Sequence, residues 1–126
     1  MNPMTTHGAF CWLEHRGTDT SAARIFYQKI LGWNVIDMPM QDGSTYPGIT
    51  LDEQPIGGFS SKASNNGDWL AYITVDDVDE RIRAAEEAGA EIISPPVDAP
   101  GVGRMAVIRD PQGASVALIT YESKQA

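Results

Sequence analysis

The sequence predicts an α+β chain built from two tandem βαβββ modules. Three observations carry this. Residues 12–39 repeat at a fixed offset, 69 − 12 = 57. Each half shows a strand pattern, a helix pattern and then three short strand patterns. A glycine follows the helix pattern in both halves, at Gly32 and Gly89.

The repeat matches Trp12-Leu13 with Trp69-Leu70, Asp19 with Asp76, Arg24-Ile25 with Arg81-Ile82, and Gly32, Ile36 and Pro39 with Gly89, Ile93 and Pro96. These matches fall at corresponding places in the predicted elements, as expected of an internal duplication. The first module spans about residues 8–60. It opens with a strand near 9–15, and Thr18 or Asp19 can cap the helix that follows. Ala22, Ala23, Phe26, Ile30 and Leu31 give that helix apolar residues at helical spacing. Gly32 ends it, because glycine accepts the left-handed conformation that follows a helix. Strands are predicted near 33–38, 46–51 and 56–60. The polar segment 60–67 joins the halves.

The second module spans about residues 68–121. Its first strand is predicted near 69–75. Asp77 and Glu80 have the spacing of a capping box for a helix that runs to Ala88. Strands are expected near 91–94, 104–109 and 114–121, with 95–103 a loop rich in proline and glycine. Asp110-Pro111-Gln112-Gly113 reads as the turn between the last two strands.

With 126 residues the chain suits a single domain, and 42% hydrophobic with 21% charged residues is a globular composition. The net charge of −8 argues against nucleic acid and against anionic membranes. No apolar run is long enough to span a bilayer, and residues 1–8 do not resemble a signal peptide. A cytoplasmic location is the resulting expectation. The one cysteine, Cys11, cannot form an intrachain disulfide and is expected to be a small packed hydrophobe.

Two stretches add a resemblance. DTSAARIFYQKILGW (19–33) and DPQGASVAL (110–118) are similar to a helix with a Leu-Gly-aromatic exit and a late Asp-Pro-x-Gly hairpin in the vicinal oxygen chelate superfamily. That group includes glyoxalase I, extradiol dioxygenases, fosfomycin-resistance transferases and bleomycin-binding proteins. The resemblance covers about residues 8–121. It implies that curved mixed sheets of the two modules enclose a cavity, and it favours a homodimer, since members often pair, sometimes by exchanging modules; the residues themselves leave monomer and homodimer both open.

The resemblance also implies where a metal would be held. Its ligand positions correspond to Trp12, Trp69, Ala117 and the region 56–59, Ile-Gly-Gly-Phe. A divalent ion needs imidazole, carboxylate, amide oxygen or thiolate donors, and these side chains supply none. The expectation is therefore a domain with no metal and no cofactor. A relocated site would have to draw on Glu14 with His7 or Asp52.

Strand periodicity puts Trp12, Glu14 and Arg16 on one face of the first strand. Arg16 falls where glyoxalase-like members carry a substrate-facing arginine. Trp69, Ala71 and Ile73 form the matching face at the start of the second module, and Ser115, Ala117 and Ile119 another. Phe59 and Met105 join the expected pocket by location, and Tyr46 as a side chain that could gate it. Each could equally be packing. Cys11 and His15 alternate to the face opposite Trp12, so His15 is expected at a surface or interface, and His7 lies before the fold. Three functions stay open at this point. The first is metal-independent binding of a small amphipathic or aromatic molecule between Trp12 and Trp69, serving sequestration or resistance. The second is isomerase or lyase chemistry on a carbonyl compound, with Glu14 as base and Arg16 stabilising an oxyanion. The third is a homodimeric interaction protein.

Overall fold

Asp19 and Asp77 start the two helices of the computed structural model, which describes residues 1–62 and 67–123. Both have extended backbones, and their side chains accept hydrogen bonds from Ala22 N and Glu80 N respectively. Helix α1 is Thr20–Leu31 and α2 is Val78–Glu87. Gly32 leaves α1 with φ 69° and Gly89 follows α2 with φ 100°, values that glycine alone adopts without strain.

The strands are β1 Phe10–Arg16, β2 Asn34–Pro39, β3 Thr45–Leu51, β4 Gln54–Phe59, β5 Asp68–Thr74, β6 Glu91–Ala99, β7 Gly103–Arg109 and β8 Ser115–Tyr121. The α+β class and the two βαβββ modules follow directly. The main departure is β6, which continues through residues 95–99, where a loop was expected. Pro95 and Pro96 cannot donate to a ladder, and the pairing of β6 with β7 shifts between Ile92 and Ser94 and again between Ser94 and Val97. Irregular pairing at the end of a strand order is where proline is tolerated.

The chain divides into two compact units, Trp12–Leu70 and a second made of Met1–Cys11 with the chain from Ala71 onward. In the first, the strand order is β2-β3-β4-β1, with β1 parallel to β4 and the other pairs antiparallel. Val35, Ile49 and Phe59 form its buried core, with Ala23, Tyr27 and Trp33 packed on them. In the second, the order is β5-β8-β7-β6, with β5 parallel to β8. Val75, Val78, Ile82, Ala106, Ile108 and Leu118 are its core. The amino-terminal segment is tied to this second unit: Thr74 Oγ1 donates to Pro3 O at 2.6 Å, and Asp76 N donates to His7 Nδ1 at 3.0 Å. The segment joining the modules is described only in part, since residues 63–66 lie outside the described residues.

The duplication changes step inside the helix. The caps are 77 − 19 = 58 residues apart, whereas the glycines that end the helices are 89 − 32 = 57 apart. The first strands follow the caps. His15, beside Phe59 in the parallel ladder, corresponds to Ile73 beside Leu118, and both pairs lie on the helix-covered faces. Trp12 therefore corresponds to Leu70 and Glu14 to Tyr72. An offset wrong by one residue moves every strand side chain to the opposite face.

Candidate functional site

β1 presents alternate side chains to opposite faces of the first unit. Trp12 and Glu14 lie on the face away from α1, as their spacing predicts. Tyr46, the second residue of β3, joins them. The Trp12 indole Nε1 donates to Tyr46 Oη at 3.1 Å, and Tyr46 Oη donates to Glu14 Oε2 at 2.8 Å. The Trp12 and Tyr46 ring centroids are 6.4 Å apart and the rings are tilted by 37°. The result is a directed chain of indole, phenol and carboxylate, drawn from two strands that are not neighbours.

Glycine makes this arrangement possible. Gly48 and Gly58 are partners in the β3–β4 ladder. A β-carbon at Gly58 would collide with the Tyr46 ring, and one at Gly48 with the Met38 thioether. Both long side chains therefore lie on bare backbone. The close approach at Gly58 is made by the Tyr46 ring. Gly57 has a different role, because a β-carbon there would meet Leu13 O of the adjoining strand.

Arg16 is held by Asp68. Its Nε donates to Asp68 Oδ1 at 2.7 Å and its Nη2 to Oδ2. This two-pronged geometry is the strong form of the pair. These bonds hold the Asp68 carboxyl below the usual carboxylate range against an opposing effect of burial. Composition gave no sign that Asp68 was the partner, because 52 residues separate the two.

His15 and Trp69 correct two expectations. His15 is only partly exposed and packs among aromatic rings on the helix side: its ring centroid lies 5.0 Å from Trp69, 5.4 Å from Phe59 and 5.8 Å from Tyr27. Burial among these rings lowers the imidazole pKa below 6.5, against a smaller opposing pull from Asp68. Trp69 sits in the same aromatic group, 5.4 Å from Tyr27 and 6.0 Å from Trp33. Trp12 and Trp69 are thus on opposite faces of the unit and do not form two walls of one pocket. The cause is the one-residue change of step described above. Phe59 is fully buried in the same aromatic group, so it belongs to the core and not to a pocket.

In the second unit Ile73 packs on the helix-side core, and strand alternation puts Ala71 on that same side, not on the face expected for it. Met105, Ser115 and Ala117 share the other face with Tyr72, and Ala117 is completely buried. Cys11 receives a hydrogen bond from Tyr121 Oη at 3.1 Å, and burial pushes the Tyr121 phenol well above its ordinary range.

The superfamily positions that would hold a metal can now be placed from the caps. Seven residues before Asp19 stands Trp12, and seven before Asp77 stands Leu70, in place of Trp69. Gly58 and Ala117 occupy the last strand of each module. None offers a donor atom to a divalent ion, so these residues do not fit a metal. Among the described residues no group of three or more His, Cys, Asp and Glu side chains is placed to hold one. His7 and Asp52 do not restore a site: His7 Nδ1 accepts from Asp76 N, and Asp52 lies in the β3–β4 turn with φ 48°. No helix among the described residues is long and apolar enough to cross a membrane.

Residues 12–118 match the family model of the Glyoxalase/Bleomycin resistance protein/Dioxygenase superfamily. Among curated proteins, the chain is 33% identical over 113 residues to CFP32 of Mycobacterium tuberculosis, named provisionally as a glyoxylase; the match covers 85% of this chain and 43% of CFP32. It is 30% identical over 127 residues to the anthracycline biosynthesis protein DnrV of Streptomyces peucetius, covering 88% of this chain and 46% of DnrV. The chain thus spans less than half the length of the curated relatives it matches. Solved structures share the fold. A hypothetical protein of Bacillus halodurans has a TM-score of 0.64 at 18% identity, covering 96% of this chain and 99% of that one. Methylmalonyl-CoA epimerase of Mycobacterium tuberculosis has a TM-score of 0.61 at 14% identity, covering 94% and 92%.

Proposed function

The chain belongs to the Glyoxalase/Bleomycin resistance protein/Dioxygenase superfamily, and from that premise we propose that it binds a small amphipathic or aromatic molecule, without a metal, on the face of the first module that carries Trp12, Tyr46 and Glu14. The observation that carries this reading is the Trp12–Tyr46–Glu14 hydrogen-bond chain laid over Gly58. It combines aromatic area with one donor and one acceptor, the mixture that orients small molecules in binding sites. The ligand positions filled by Trp12, Leu70, Gly58 and Ala117 support the metal-free part. The name of the Streptomyces relative puts an anthracycline among the compounds to test.

The test is a fluorescence titration against a panel of hydroxylated aromatics and one anthracycline, with and without EDTA. Binding should be unchanged by EDTA and weakened about tenfold or more in Trp12→Phe, which keeps an aromatic ring but loses the indole N–H. Loss of binding on chelation, or equal affinity in Trp12→Phe, would overturn the reading.

One observation favours a second reading, isomerase or lyase chemistry with Glu14 as base. The Tyr46 hydroxyl orients the Glu14 carboxylate, as a general base requires. Turnover of a carbonyl substrate that disappears in Glu14→Gln while substrate affinity persists would favour it; unchanged turnover would remove Glu14 from the mechanism.

A further inference from the structure

The face over Gly58 holds a phenol in a defined pose, and that phenol belongs to the protein. The Tyr46 ring rests where a β-carbon at Gly58 would otherwise stand. Its oxygen accepts from the Trp12 indole and donates to the Glu14 carboxylate. The two groups that bracket the oxygen are two residues apart on β1, so the strand fixes their spacing. Tyr46 arrives from β3 and is one of two side chains, with Met38, that fill glycine-floored hollows in this face.

We propose that the hollow over Gly58 is a binding slot for a phenolic ring, which Tyr46 occupies until a ligand replaces it. This deepens the proposed function by naming the ligand class, and it rests on the assignment of that face as the binding site. The bracketing groups select the chemistry. The indole N–H needs an acceptor and the carboxylate needs a donor. A hydroxyl satisfies both at once. A ketone or ether oxygen accepts from Trp12 but gives nothing to Glu14. A carboxylate ligand is repelled by Glu14, and an ammonium group cannot accept from the indole. The glycine floor selects a flat ring over a branched alkyl group. On exchange, a ligand hydroxyl remakes the bond from the Trp12 indole and the bond to the Glu14 carboxylate that the Tyr46 hydroxyl makes.

Tyr46→Ala vacates the slot, and the probes are phenol, toluene and benzoate, titrated by calorimetry and by the ¹⁵N–¹H signal of the Trp12 indole. Phenol is expected to bind the variant one to one and about tenfold or more tighter than toluene or benzoate. It should also bind the variant more tightly than it binds the wild type, where Tyr46 competes. Adding Gly58→Ala to Tyr46→Ala should abolish phenol binding, because the new methyl group fills the floor. Should Tyr46→Ala fail to fold by circular dichroism, Tyr46→Ser supplies the same comparison, because serine also leaves the slot empty of a ring. Phenol binding no better than toluene in the folded variant, or phenol binding that ignores the added Gly58→Ala, overturns the proposal. If either occurs while Trp12→Phe still weakens a ligand of the wild type, the slot is wrong and the binding reading stands. If Trp12→Phe is also without effect, both fall.

Discussion

Gly58 shows how a residue without a side chain can place another residue's chemistry. Gly58→Ala should drive Tyr46 off β4 and break both hydrogen bonds of its hydroxyl. A cost of about 1–3 kcal/mol is expected, the usual range for overfilling a packed position, and urea denaturation measures it. His15 gives a prediction in pH. Its pKa is lower in the folded protein than the unfolded 6.5. The unfolded state therefore binds the proton more readily, so the stability due to this residue is complete above about pH 6.5 and declines as the pH falls toward the lowered value. The melting temperature should drop more steeply below pH 6.5 in the wild type than in His15→Phe, as followed by calorimetry across pH 5 to 8; parallel curves would refute it. At this scale the sequence was legible where one strand was enough. Trp12 and Glu14 share a face because strand periodicity is local. Tyr46 and Asp68, their neighbours' partners, come from β3 and β5, and register between distant strands is not written in either strand alone.

The two helices occupy the same place in their modules but bury different amounts. Val78 and Ile82 of α2 are 2% and 6% exposed, while Ile25 and Ile30 of α1 are 64% and 55% exposed. Ile82→Ala should therefore cost about 2–4 kcal/mol, the range for emptying a packed core position. Ile25→Gln should change stability by less than about 0.5 kcal/mol, as surface substitutions do. Parallel urea titrations of the two variants check both, and a large loss in Ile25→Gln would show that α1 is more firmly held than its exposure indicates. Helix starts and stops were readable because an aspartate cap and a glycine exit act within one turn. The path of β6 was not, because Pro95 and Pro96 read locally as loop, while the pairing of Val97, Asp98 and Ala99 with β7 that makes the segment a strand is set by a different part of the chain.

Across the whole chain, 17 acidic and nine basic residues leave a net charge of −8. Self-repulsion at that charge weakens the folded state. Raising ionic strength from about 0.01 M to about 0.15 M shortens the screening length from about 30 Å to about 8 Å, so the melting temperature should rise; a fall would mean that ion pairs such as Arg16–Asp68 outweigh the repulsion. Family and fold class were legible in the repeat and its two motifs. The ligand was not, because a shared fold carries many activities. The change of step between the modules has a practical outcome for anyone building hybrids of them. A graft that replaces β1 with β5 by matching Trp12 to Trp69 would seat the new strand inside out, with Ile73 on the face that carries Trp12 and Glu14 and Tyr72 pressed against the helix. Matching the capping aspartates instead keeps the graft right side in, so the place to cut and join such chimeras is the helix cap and not the shared tryptophan.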